Sequence, residues 1–205
     1  MKINTQNDAL KCLQKSWALI VDECRSVLGS ELYYQAMIYH CLRQTGVPRE
    51  QLGMNVKMWI SAPVSGLFQA LDKKKHQHYQ GGFEPIPDVC IFSDSVGADW
   101  RRRNPEKTLQ SLLLAIEIKA SERKGGRLSY REIAFDIDKL SAHREEAVHR
   151  GSSFAPVMLI VDTAPNVNER MTEKSLIQAQ VKAQQEKVGF FYLSTDLEIN
   201  TLTLY

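Results

Sequence analysis

Residues 112–120 read LLLAIEIKA and residues 86–93 read IPDVCIFS. Both are apolar at consecutive rather than alternating positions and are short, which is how strands covered on both faces read. Such strands require a layer of structure on each side of a sheet. Each run is broken only by ionisable groups: Asp88 after Pro87 in one, Glu117 and Lys119 in the other. Side chains alternate along a strand, so Glu117 and Lys119 share one face.

Downstream, Ser129 and Glu132 have capping-box spacing ahead of a helical pattern running to about residue 150, with Ile133, Ile137, Leu140 and Val148 on one face. Residues 156–163 form another buried strand, and strand, helix, strand in this order predicts a parallel pair covered by the helix. Upstream, three- and four-residue apolar spacings predict a helix over 7–28, stopped by Gly29. Ser30 offers an N-cap to a second helix, which Gly46 and Pro48 end. Residues 55–60 read as a short strand, 61–82 as a surface excursion, 97–108 as a basic turn or short helix, 169–186 as a polar helix, and 188–194 and 199–204 as closing strands. The expected fold class is α/β, a three-layer sandwich with a central mixed β-sheet flanked by helices. It forms one domain over 1–205: an N-terminal helix in 1–29, a core in 30–165, and a C-terminal helix with closing strands in 166–205.

Of the 205 residues, 43% are hydrophobic and 24% charged, ordinary usage for a globular chain with enough apolar surface for one sizeable core, which excludes a stapled miniprotein. The longest apolar runs fall far short of the roughly 20 residues needed to cross a bilayer. The first ten residues lack a secretory pattern, so a cytoplasmic protein is expected. Cys12, Cys24, Cys41 and Cys90 form no Cys-x-x-Cys pair and read as reduced, buried thiols rather than a zinc, iron–sulfur or disulfide framework. Lys plus Arg number 26 against 24 Asp plus Glu, so any basic surface has to be local.

A carboxylate inside an apolar strand is costly unless it is paired or binds a cation. Two of them suit Mg²⁺, which takes oxygen ligands and keeps several waters. Asp88 and Glu117 are the expected metal ligands, with the carbonyl of Ile118 as a further one. Lys119 beside them is placed to orient or deprotonate an attacking water, or to neutralise transition-state charge, in phosphodiester hydrolysis. Glu-x-Lys spacing alone is weak, since it recurs at Glu122 and Lys124 in a Gly-rich loop. Context separates the copies: Pro-Asp in one apolar strand, then Glu-x-Lys in the next.

IPDVCIF followed by LLLAIEIKAS resembles the PD-(D/E)XK nuclease superfamily over roughly residues 30–165. The resemblance implies a restriction-endonuclease-like fold and Mg²⁺-dependent nuclease action, with Mn²⁺ as a substitute, usually on DNA. Many members carry an acidic residue on the helix before the first strand, and Glu31 is the candidate, the alternative being that it complements the helix dipole beside Ser30. Glu23 is a weaker rival, and Glu84, three residues before Pro87, is placed to reach a second metal, the alternative being a solvated loop carboxylate. Arg101, Arg102 and Arg103 beside Trp100, and Arg123, Lys124 and Arg127 around Gly125 and Gly126, are candidate phosphate contacts, with solvated loops as the alternative. Arg131, Asp136 and Lys139 read as surface positions of the following helix, Lys139 being the one placed to face the groove. The competing expectation is a nuclease-like domain without activity that binds nucleic acid or a protein. Cutting both strands of a duplex would call for a homodimer, and targeting for a protein partner.

Overall fold

The computed structural model describes residues 2–101 and 105–202. Along the chain they form α1 (Gln6–Ser26), α2 (Glu31–Gln44), β1 (Leu52–Met54), β2 (Ile60–Ser61), α3 (Gly66–Lys73), β3 (Gly82–Phe83), β4 (Val89–Phe92), α4 (Pro105–Gln110), β5 (Leu112–Ala120), α5 (Tyr130–His149), β6 (Ala155–Asp162), α6 (Glu173–Gln185), β7 (Gly189–Ser194) and β8 (Glu198–Thr201). Six strands make one mixed sheet in the order β1-β4-β5-β6-β7-β8, and β2 and β3 form a separate ribbon. The pairs β5–β6 and β6–β7 are parallel and the outer pairs antiparallel.

The helices start where short polar side chains satisfy free N–H groups: Thr5 accepts from Asp8 N, Ser30 from Tyr33 N, and Ser129 and Glu132 close a reciprocal capping box on α5. Alternation on β5 then divides the core. Leu114, Ile116 and Ile118 face the layer of α1 and α2 with Leu13, Trp17 and Ile38, while Ala115 packs with Met158, Ile160 and the α5 residues Ile133 and Ile137 on the other side. The architecture is a three-layer α/β arrangement, as the two apolar strands require. Glu117 and Lys119 interrupt the second of these faces, toward α5.

Three local readings change. Residues 55–60 are not one strand: Asn55 turns the chain with a φ of 53°, leaving Leu52–Met54 on β4 and Ile60–Ser61 on β3. Residues 61–82 are more than an excursion, because α3 buries Phe68 completely and stacks it on Phe83 at 4.2 Å between ring centroids. The ladder of the 86–93 run begins only at Val89, after Pro87, whose nitrogen has no proton to donate. All four cysteines are free and buried. Among the described residues no helix is long and apolar enough to cross a membrane.

Candidate active site

β4 and β5 pair with Val89 opposite Ile116, so one further step along the register sets Asp88 opposite Glu117. Directly opposed residues of an antiparallel pair project to the same face. Asp88 stands just outside the ladder, and its carboxylate replaces the missing backbone bonds: Oδ2 accepts from Ile118 N at 2.6 Å. Its Oδ1 accepts from Gln35 Nε2 of α2 at 2.7 Å, and Gln35 Oε1 in turn accepts from Asn55 Nδ2 at 3.0 Å. The turn at Asn55 therefore fixes the Gln35 amide, which fixes Asp88.

Glu117, 8% exposed, accepts from Lys139 Nζ of α5 at 2.8 Å. Lys139 also donates to Asp136 Oδ1 at 2.8 Å, and Asp136 Oδ2 lies 3.2 Å from Lys119 Nζ. Lys119 donates to Glu31 Oε1 at 2.6 Å. The sequence order thus becomes a spatial chain of alternating charge, Glu31, Lys119, Asp136, Lys139 and Glu117, with Asp88 beside its far end.

Across this cluster four carboxylates face two ammonium groups, an excess of two negative charges. Burial, reinforced by the charge of Glu117, pushes the Asp88 carboxyl up from 3.8 to about 7. Burial also raises Glu117, against the opposing pull of Lys139. Burial disfavours the charge of Lys119, but the Glu31 hydrogen bond and the field of Asp136 outweigh it and raise the ammonium pKa. Lys139 is raised in the same way by Glu117 and Asp136.

Does a divalent cation fit? The donors are hard oxygens. The Ile118 N–H faces Asp88, and in extended backbone a residue's N–H and C=O lie on the same strand edge, so its carbonyl is on the Asp88 side. One divalent charge matches the excess of two. No group of three or more His, Cys, Asp or Glu able to hold a metal occurs among the described residues, but Mg²⁺ is commonly held by one or two carboxylates with waters and substrate completing its shell. Asp88 and Glu117 supply that number of carboxylates, Asp88 hydrogen-bonded to Ile118 N and Gln35 Nε2 and Glu117 to Lys139 Nζ.

The basic candidates separate. Arg123 and Arg127 line a cleft of about 90 Å³ together with Glu31 and Lys119, and Lys124 lines the neighbouring cavity. Arg127 Nε donates to Asn168 O at 2.9 Å, and Arg123 lies 3.5 Å from Glu132. Arg101 is not with them: it forks onto Asp99 at 2.8 Å in the segment after Phe92, the end of β4 away from Asp88. Arg102 and Arg103 lie outside the described residues.

Two members of the site were not read as such from the sequence. Asp136 is 4% exposed rather than a surface position, and its spacing from Ile133 and Leu140, three and four residues away, places it on the buried face of α5. Gln35 had a similar signal, four residues after Glu31 on α2. Lys139 does reach the groove, through Glu117. No family model, curated protein or solved structure matches the chain.

Proposed function

We propose that the protein is a divalent-metal-dependent nuclease of restriction-endonuclease-like architecture, hydrolysing phosphodiester bonds in DNA. The observation that carries this reading is the pair Asp88 and Glu117: the first half-buried just past the end of the β4 ladder, the second buried on β5, in a register that turns both to one face, and in a cluster where four carboxylates meet two ammonium groups. Lys139 partners Glu117, whereas among the described residues Asp88 is held by two neutral donors, Ile118 N and Gln35 Nε2, and by no ammonium group. Asp88, Glu117 and the Ile118 carbonyl would hold Mg²⁺ or Mn²⁺, which when bound supplies a more acidic water and charge neutralisation at the phosphate.

The chain's own groups do the rest. Lys119, held between Glu31 and Asp136, keeps its proton near neutral pH, so it serves as a fixed cation and hydrogen-bond donor toward the attacking oxygen or the phosphate rather than as a base. Glu31 acts through Lys119 by orienting it, and Gln35 orients Asp88. Arg123 and Arg127, beside Lys119, suit contacts to neighbouring phosphates. A homodimer would align two such centres for double-strand cutting, and the free buried thiols are in keeping with a cytoplasmic setting.

One observation favours a second reading, a nuclease-like domain without activity that binds nucleic acid or a protein: Lys139 already closes on Glu117 at 2.8 Å. Incubation with supercoiled, linear and single-stranded DNA and with RNA, each with Mg²⁺, Mn²⁺ or a chelator, separates them. The nuclease reading expects metal-dependent cleavage of DNA that Asp88→Asn removes. Intact substrate under every condition would overturn it in favour of the second.

A further inference from the structure

Next to the Lys119 cleft lies a larger cavity of about 570 Å³, in the size range of small-ligand sites. The two share Ser121, Glu122 and Arg123 as a common wall. The larger one is bounded by the segments that follow β5 and β6, and ligands of α/β sheets gather beyond the carboxyl ends of parallel strands. Its lining joins two chemistries. Leu28, Ala164 and Pro165 give apolar walls, while Ser30 and Asn166 give polar groups. Tyr34, 2% exposed, has its hydroxyl already held by Val27 O and Gly29 N, so it backs the cavity wall and offers no hydrogen bond.

The charges around it are unevenly engaged. Glu122 Oε2 accepts from Glu31 N at 2.7 Å and Glu169 Oε1 from Gly125 N at 2.7 Å, so both carboxylates are tied to backbone amides. Lys124 is exposed and makes no ion pair among the described residues. An apolar slot with a polar edge, a free cation on its rim and a phosphate-competent lysine next door is complementary to one nucleotide, base inside and phosphate outside.

We propose that this cavity is a subsite for the base of an unpaired nucleotide in the strand to be cut, with the adjoining phosphate against Lys119 and Arg123. The inference rests on the nuclease reading and deepens it by naming the substrate class as a single or locally unpaired strand. A base stacked and paired within a duplex cannot enter a side pocket without leaving the stack, whereas a single strand presents it without that cost. Stacking of one base on an aromatic ring changes affinity by roughly five- to a hundredfold, which is the upper bound for a base held mainly on aliphatic walls.

The test is binding, measured with a chelator present so that no cleavage intervenes. Anisotropy of a short fluorescein-labelled single-stranded oligonucleotide, its blunt duplex, the same strand as RNA, and a single strand of abasic sites is compared for the full chain and for Leu28→Glu and Lys124→Ala. Leu28 is 60% exposed, so its replacement is expected to leave the melting temperature unchanged. The subsite predicts single strand over duplex by at least about tenfold, a comparable loss on removing the bases, and a comparable loss in Leu28→Glu at unchanged melting temperature. Whichever of DNA or RNA binds tighter identifies the strand's source. Equal binding of duplex and single strand, or full affinity in Leu28→Glu, would overturn the subsite. Metal-dependent cleavage of duplex and single strand at equal rates would also overturn it while leaving the nuclease reading intact, and single-strand preference without cleavage of any substrate would do the reverse.

Discussion

Replacing Asp88 with asparagine is expected to make the metal-free protein more stable. The folded chain holds the Asp88 proton up to about pH 7, against 3.8 for an ordinary aspartate. Between these values the folded state binds a proton that the unfolded state has released, so stability falls as pH rises through the window and the full penalty applies by about pH 8. At about 1.4 kcal/mol for each tenfold change in proton affinity, that penalty is roughly 4 kcal/mol. Asparagine removes the charge but offers one acceptor where Asp88 meets two donors, Ile118 N and Gln35 Nε2. Turning over the Gln35 and Asn55 amides restores the pairing, since Gln35 then accepts from the new amide, and imperfect geometry costs about 1–2 kcal/mol. The net gain is about 2–3 kcal/mol near pH 8, or roughly 5–10 °C in melting temperature for a chain of this size. Near pH 4 only the hydrogen-bond cost remains and Asp88→Asn is slightly less stable than wild type. Paired thermal melts in chelator across this range read the difference directly. Mg²⁺ at a hundred times its Kd should close the gap, adding about 2.7 kcal/mol to wild type and little to Asp88→Asn. A destabilised Asp88→Asn whose deficit does not change with pH would refute the reasoning.

Lys119→Ala is expected to lower cleavage at least about a hundredfold while calorimetric Mg²⁺ binding persists, because both carboxylate ligands remain. Lys139→Ala removes the cation from Glu117, whose side chain is only 10% exposed, and should cost roughly 3–5 kcal/mol in urea unfolding, much of it recovered by adding Glu117→Gln. His143 is fully buried between the rings of Phe68 and Phe154, its Nε2 without a partner, and burial lowers its pKa to about 3. Below about pH 6.5 the unfolded chain therefore takes a proton that the folded chain refuses, so stability drains away as pH falls toward 3, and His143→Leu should flatten that acid-side loss in melting temperature.

The layered sheet was legible because β5 and β6 are apolar without alternation and the α5 capping box is local: the reading of residues 112–163 needed no distant partner. The Asp88–Glu117 pairing was legible for the same reason, an ionisable group being conspicuous in such a strand. What escaped depends on packing. Asp136 looks like any polar residue of an amphipathic helix until α5 is laid on the sheet, where it bridges Lys119 and Lys139. Gln35 matters only because α2 crosses the start of β4, and α3 only because Phe68 finds Phe83. Arg101 shows the converse, since a basic run announces charge but not which end of β4 it will occupy.

The central claim, that Asp88 and Glu117 form a site for a divalent cation, is tested most directly by anomalous diffraction from a crystal soaked in Mn²⁺. The account predicts one strong peak between the two carboxylates, at metal–oxygen distances of about 2.1 Å, with the Ile118 carbonyl at its edge. A saturating soak with no peak there, and Lys139 still closed on Glu117, would contradict it.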